Sequence, residues 1–580
     1  MSQQESSVVV DKAQSSWSDL WTKEDYWAIW LGFFLIALSF FLYFNFTPVG
    51  EFKEKIAKSN AIMETEAARA PFKTIEWHQA KDAKGKLKST DSAIGKFFSK
   101  WTAKPGSWKE NPVDAFYMSQ ERADAMNAKA MPKFEDAKAK AANSFVLAQA
   151  AQAAAADAGF QDATLNDEAG KKIGEWRAAQ KAEGDAKKKT AHKPYNRFLT
   201  LIIFCGVLAL FFSVGIKFMG KDTPGFMKGF AMVYLVAVLA YMMGGQSVAK
   251  QYGIGAEAWG IIIGMLIANT VGTPNFAKKA LEVEYFIKTG LVLLGGEVLF
   301  NKIIAIGVPG IFVAWVVTPV VLVSTFIFGQ KVLKMPSKTL NIVISADMSV
   351  CGTSSAIATA AACRAKKEEL TLAIGLSLVF TAIMMIAMPA FIKAVGIPEI
   401  LGGAWMGGTI DATGAVAAAG AFLGEKALYV AATIKMIQNV LIGVTAFGVA
   451  VYWCTKVECE AGKSVGWMEI WHRFPKFVIG FMSASIIFSV IDGSLGADLG
   501  AAAVDHGVVR GGTRIFRDWF FALSFAAIGL ATNFRELAHY FKGGKPLVLY
   551  ACGQSFNLAL TLTMAYIMFY LVFPEITAKI

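Results

Sequence analysis

Uninterrupted apolar runs of about 18 to 28 residues recur along this chain, each long enough to cross a hydrocarbon layer about 30 Å thick. Inside such a layer every backbone N–H and C=O must be satisfied within the protein, so runs of this length are expected to be helices. Charged residues make up 18% of the chain and hydrophobic ones 55%, where a soluble domain carries roughly 25% charge. These patterns predict an all-α polytopic membrane protein. The first run, Tyr26 to Phe46, is aromatic and is not followed by a small-residue cleavage site, so it reads as a retained span and not as a signal peptide. Twelve further elements are expected at 198–219, 226–248, 253–271, 283–300, 303–328, 340–362, 370–395, 400–423, 427–454, 477–491, 519–534 and 547–573.

A polar stretch separates the first run from the rest. The resulting division is a tail (1–25), a first transmembrane helix (26–47), a helical insert (48–197) and a transmembrane core (198–580). From Glu51 to Arg197 the insert holds 27 Lys and Arg against 20 Asp and Glu. Acids are mixed in throughout, which is the pattern of a solvated helical surface and not of a nucleic-acid face. Its Ala and Lys content favours helix. Trp77, Phe97, Phe98, Trp101, Trp108, Phe116, Tyr117 and Trp176 supply anchors for a small core, and Pro105-Gly106 and Pro132 read as punctuation.

Basic residues in short loops set orientation. Those near Lys217, Lys221 and Lys228, at Lys278 and Lys279, at Lys331, Lys334 and Lys338, and in Lys456–Lys476 and Arg535–Lys545 alternate consistently with a cytoplasmic N-terminus and an outer insert. The expected location is the plasma (bacterial inner) membrane. The basic loop Arg364–Lys367 fits badly if 340–362 fully crosses, which favours a broken or re-entrant element there. A weak internal repeat relates Gly290–Pro309 (GLVLLGGEVLFNKIIAIGVP) to Gly529–Pro546 (GLATNFRELAHYFKGGKP). An odd number of crossings between the copies would invert one against the other, as in inverted-repeat transporters.

Two segments carry the chemistry. Ser345–Ala362 reads SADMSVCGTSSAIATAAA and Gly407–Gly420 reads GGTIDATGAVAAAG. Each has an acid (Asp347, Asp411), then hydroxyls and a glycine, then small residues. Gly352 and Gly414 would let a helix open, and a helix that restarts after a break presents free N–H groups and a positive dipole end to an anion. Ser349, Thr353, Ser354, Ser355, Thr409 and Thr413 would add neutral donors. Close helix packing is the alternative use of such small residues.

Ionisable groups at membrane depth cost about 2.5–3.5 kcal/mol each on insertion scales and so point to function. Asp347, Asp411, Lys435 and Glu297 qualify, with Glu297, Lys288 and Lys393 nearer the ends of their runs. Lys435, in ATIKMIQN, would pair with Asp411 or meet an anionic substrate, with Gln438 and Asn439 one turn on. Asp347 and Asp411 are the candidates for carrying a coupling ion, Na⁺ or H⁺. Asn269, Gln554 and Asn557 are expected to bond between helices. The six cysteines (205, 351, 363, 454, 459, 552) form no CxxC pair, and Cys454 with Cys459 is at most a weak thiol pair. His472, His506 and His539 stand singly, in expected loops. No metal cluster, nucleophile elbow or P-loop is present in the sequence, so no cofactor and no enzyme activity is expected.

At MSVCGTSSAIATAAACRAKKEE and at GGTIDATGAVAAAG followed by ATIKMIQNVL, the chain resembles the YeiH-type sulfate exporter family, an uncharacterised membrane protein family of the UPF0324 kind, over roughly Tyr252 to Phe573. The resemblance implies a core of two inverted repeats with broken helices, similar to bile-acid symporter and sodium–proton antiporter folds. It also implies a small anion such as sulfate or a sulfonate as substrate. Many members carry His-Glu where this chain has Asp411-Ala412, so the resemblance does not fix the coupling ion or the substrate charge, and it is silent on residues 26–197. The expected function is therefore a secondary transporter that binds a small anion near the bilayer midplane, as a homodimer in the manner of rigid-body transporters. The other readings are an anion channel, or a receptor or assembly protein that uses the outer insert.

Overall fold

Apolar length decides most of the architecture. The structure is a computed structural model and describes residues 16–251, 255–297, 300–457, 475–537, 544–578 and 580. Among the described residues nine helices are long and apolar enough to cross a membrane: Glu24–Phe46, Phe198–Phe218, Thr223–Gly244, Ile303–Lys331, Lys338–Ala362, Lys367–Val395, Glu425–Val457, Phe477–Leu495 and Lys545–Val572. The chain is an all-α polytopic membrane protein, and its described β-structure is one antiparallel pair, Tyr117–Met118 against Tyr195–Asn196.

Four expected spans come out differently. Runs 253–271 and 283–300 fold as the shorter helices Ala256–Thr270 and Val283–Gly295. Run 519–534 is covered up to Ala531 by the helix Arg514–Ala531, whose start carries Arg514, Arg517 and Asp518, and its last residue begins a separate short helix, Phe534–Leu537. Run 400–423 splits into two half-helices, Glu399–Thr409 and Thr413–Leu423. Between them Ile410 and Ala412 take extended backbone, so the chain is fully interrupted at Asp411.

The chain forms two units. One comprises Met1–Leu35, Cys205–Ser489 and Phe516–Ile580. Its centre is built by small residues that let backbones touch. A methyl added at Gly403 would sit 2.7 Å from Ala427 O, and one at Gly407 would sit 2.7 Å from Ala431 O. This GxxxG stripe therefore presses Glu399–Thr409 onto Glu425–Asn439 at backbone distance.

The other unit comprises Ile36–Phe204 and Val490–Ile515. Its main feature is a hairpin of Gln120–Asp157 and Ala163–Lys188, with Ser119 and Asp162 accepting from first-turn amides as N-caps. Ile75, Ala148, Ile173 and Trp176 form a small core there. Pro132 does not punctuate this region as the sequence predicts, but lies inside the first hairpin helix. His506 likewise lies on the π-helix Gly500–Thr513, not in a loop. His472, His539 and Cys459 lie outside the described residues.

Candidate functional site

The first chemical segment is kinked, where the second is severed. After Lys338–Ala346 the backbone widens into a π-turn over Asp347–Cys351 and then restarts as Gly352–Ala362. Gly352 takes φ +35° and ψ −126°, a conformation that side chains with a Cβ rarely adopt. A π-turn strands carbonyls, and backbone groups at membrane depth need partners. Three buried side chains supply them. Asn557 Nδ2 donates to Met348 O at 3.3 Å, Gln438 Nε2 to Ser349 O at 3.0 Å, and Lys435 Nζ to Val350 O at 2.8 Å.

This bonding explains Lys435. Its Nζ also donates to Gln438 Oε1 at 2.8 Å, and no ion pair joins it to Asp411 within 4 Å among the described residues. The ammonium props open the break. Gln438 reaches further, donating to Gly408 O at 3.2 Å and Thr318 Oγ1 at 3.0 Å, so it ties both interrupted segments together.

The two acids lie beside this prop, and both are buried. Asp411 Oδ2 accepts from the Tyr550 hydroxyl. Neither Asp347 oxygen has a hydrogen-bond partner of normal geometry. The two breaks adjoin, since a Cβ placed on Gly352 would lie 3.4 Å from Asp411 O.

A cavity of about 530 Å³ lies against the restarts of both helices, a volume usual for small-ligand sites. Neither Gly352–Ala362 nor Thr413–Leu423 has a side-chain cap. The Gly352 N–H closes the π-turn on Asp347 O, and the other first-turn amides of both helices have no side-chain partner and stand at positive dipole ends. Cys351, Thr353, Ser354, Ala412, Thr413 and Asn439 line this part of the wall. Thr353 and Ser354 are exposed to the cavity, whereas Thr413 and Asn439 are buried edges of it. Asn439 Nδ2 donates to Thr413 Oγ1 at 3.1 Å, and Asn439 Oδ1 has no protein partner.

Other expected site residues lie elsewhere. Ser349 Oγ turns back to Ser345 O, and Thr409 Oγ1 to Trp405 O, each at 2.6 Å. Ser355 is buried with its hydroxyl unpartnered. Gly414 sits inside the first turn of its helix without positive φ, and a methyl there would meet Ile528, Val283 and Ile287 at ordinary contact distances. Glu297 is paired with Arg517. Among the described residues no group of three His, Cys, Asp or Glu is placed to hold a metal.

A second part of the wall was not foreseen. Lys288, Glu284 and Lys476 line it with Asp19 and Lys23, which precede the first spanning helix, and Glu24, Asp25 and Tyr26 from its start. Burial pulls the Lys476 ammonium down to about 8, against the opposing pull of Asp25. Below that pH the cavity gains a positive charge that it loses above it. Anion binding is therefore expected to weaken across about one pH unit on either side of this value. Lys476→Arg, which keeps its charge, is expected to flatten the profile. Equilibrium binding of radiolabelled sulfate against pH checks this; an inflection unchanged in the Arg variant would assign the titration to another group.

The family described as "Conserved hypothetical protein 698" matches residues 228–550, which hold both breaks and Lys435. Two UPF0324 membrane proteins of Nitratidesulfovibrio vulgaris (strain Hildenborough) are 69% and 68% identical to the chain, each over the full length of both. A UPF0324 membrane protein of Rhodopirellula baltica is 58% identical over 373 residues, which is 64% of this chain and 68% of that relative. No solved structure matches. With more than half of its length matched and full-length relatives at this identity, the chain belongs to the UPF0324 membrane protein family, the family of Conserved hypothetical protein 698.

Proposed function

We propose that this protein is a secondary transporter for a small anion, sulfate or sulfonate-like, in the bacterial inner membrane with its N-terminus cytoplasmic. The observation that carries the reading is the pair of uncapped helix starts, at Gly352 and Thr413, on one cavity. Orphan amides at two positive dipole ends bind negative charge without a buried cation of their own. The hydroxyls of Thr353, Ser354 and Thr413 and the amide of Asn439 add direction. Asp347 and Asp411, beside the breaks and apart from the cavity wall, are the groups proposed to take the coupling ion, H⁺ or Na⁺.

The test uses purified full-length protein in proteoliposomes with radiolabelled sulfate and methanesulfonate. Counterflow of label against its own gradient is expected, as for a carrier; flux that only follows the gradient would mean a channel. Thr413→Val removes one donor from the site and is expected to weaken binding about tenfold, the equivalent of one good hydrogen bond to a charge. Sulfate and sulfonate binding unchanged in Thr413→Val and in Ser354→Ala would remove the anion from this cavity.

A further inference from the structure

We infer that Lys288 is the cation that meets the substrate in this cavity, and that Glu24 and Asp25 of the first spanning helix occupy it until an anion takes their place. The inference rests on the anion reading above. That reading leaves open which cation touches the anion: Lys435 donates to Val350 O and Gln438 Oε1 and does not line the wall, whereas Lys23, Lys288 and Lys476 do.

Lys288 does line it. It stands on Val283–Gly295, a helix whose Tyr285, Phe286, Ile287 and Leu291 are fully buried, so its backbone position is fixed by packing. Its Nζ lies 2.9 Å from Glu24 Oε1, 2.9 Å from Asp25 Oδ1 and 3.8 Å from Glu284 Oε2. One ammonium thus gathers three carboxylates, more than it neutralises, and like charges at that spacing repel. Departure of an acid relieves the crowding.

Each of the two close acids also has a second partner. Glu24 Oε2 lies 3.9 Å from Lys221 Nζ, and Asp25 Oδ2 accepts from the Lys476 N–H at 2.8 Å. Releasing Lys288 therefore leaves Glu24 facing Lys221 and Asp25 holding a backbone hydrogen bond, which lowers the cost of separating these charges. An oxyanion that arrives gains a charge-assisted hydrogen bond in return. The first spanning helix lies outside the matched segment 228–550, so on this inference a helix beyond that segment adjusts the affinity of the site within it.

The test is equilibrium binding of radiolabelled sulfate, and separately of methanesulfonate, to the full-length protein in detergent, with the thermal midpoint of each variant recorded. Glu24→Gln removes one competitor for Lys288 while leaving Asp25 on both of its partners, and is expected to tighten binding several-fold. Lys288→Gln is expected to weaken binding about tenfold. In the double variant the gain from Glu24→Gln should vanish, because the acid acts only through the lysine; a purely structural role for Glu24 would leave the gain in place. Binding like wild type in both single variants, with Thr413→Val still weakened, overturns this inference and leaves the anion site standing. Neither probe binding the wild type would overturn the anion site and the inference together. If Lys288→Gln does not fold, Glu24→Gln alone decides: tighter binding supports the inference, unchanged binding overturns it.

Discussion

Gly352→Ala is expected to destabilise the protein by about 1–3 kcal/mol, the usual cost of forcing a side chain into a backbone conformation of this kind, and to abolish measurable sulfate binding. Two observations set the size. The residue sits at φ +35° and ψ −126°, and the added methyl would stand 3.1 Å from Ser377 Oγ and 3.4 Å from Asp411 O. The backbone must therefore rotate, and the amides that rotate with it start the Gly352–Ala362 helix at the cavity. The same contact passes the shift to Asp411 and so to the restart at Thr413. Gly414→Ala is the control. There the methyl meets only ordinary contacts and φ is negative, so stability should stay within about 0.5 kcal/mol. Thermal unfolding and sulfate binding of the two variants, side by side, measure the difference. Equal behaviour of the two would mean that the π-turn geometry plays no part in the site.

The contrast between these glycines marks what the sequence could and could not carry. Both follow an acid in a small-residue run, so both predict a break. The break at the second segment falls three residues earlier than Gly414, because Ile410 and Ala412 extend on either side of a bend at Asp411 and the glycine enters the new helix. Membrane spans were legible because their signal is local: a run of apolar residues of sufficient length is its own evidence. The hydroxyl-bearing half of the cavity was legible for the same reason, since Thr353, Ser354, Thr413 and Asn439 stand close to the motifs. The charged half was not. Lys288 and Glu24 are 264 positions apart, and each alone reads as a charge near the end of an apolar run. Lys435 was recognised as a buried cation, but its partner is a carbonyl freed by a π-turn, and no residue type announces a stranded carbonyl. Pro132 went the other way: proline usually ends a helix, yet the first hairpin helix runs through it.

Arg517→Met is expected to cost about 3–5 kcal/mol, the penalty for removing one partner of a buried ion pair. The Arg517 side chain is 5% exposed and that of Glu297 1% exposed, with Nη1 2.9 Å from Glu297 Oε2 and Nη2 2.6 Å from Asp518 Oδ1. One guanidinium thus serves two carboxylates, and the flexible hydrophobic chain that replaces it serves neither. Glu297→Gln should cost less, because the amide oxygen still accepts from Arg517 and no bare charge is left behind. Arg517→Lys should fall between, since a single ammonium does not reproduce the two-sided fork. Yield of monodisperse protein and the thermal midpoint in detergent give the order of the three. Binding separates this pair from the cavity. Neither Glu297 nor Arg517 lines the cavity wall, so sulfate bound per folded molecule should be unchanged in every variant that folds. A loss of binding in Glu297→Gln at undiminished stability would instead make Glu297 a functional charge, as its depth in the sequence alone suggests, and the ion pair would then be one state of a moving part.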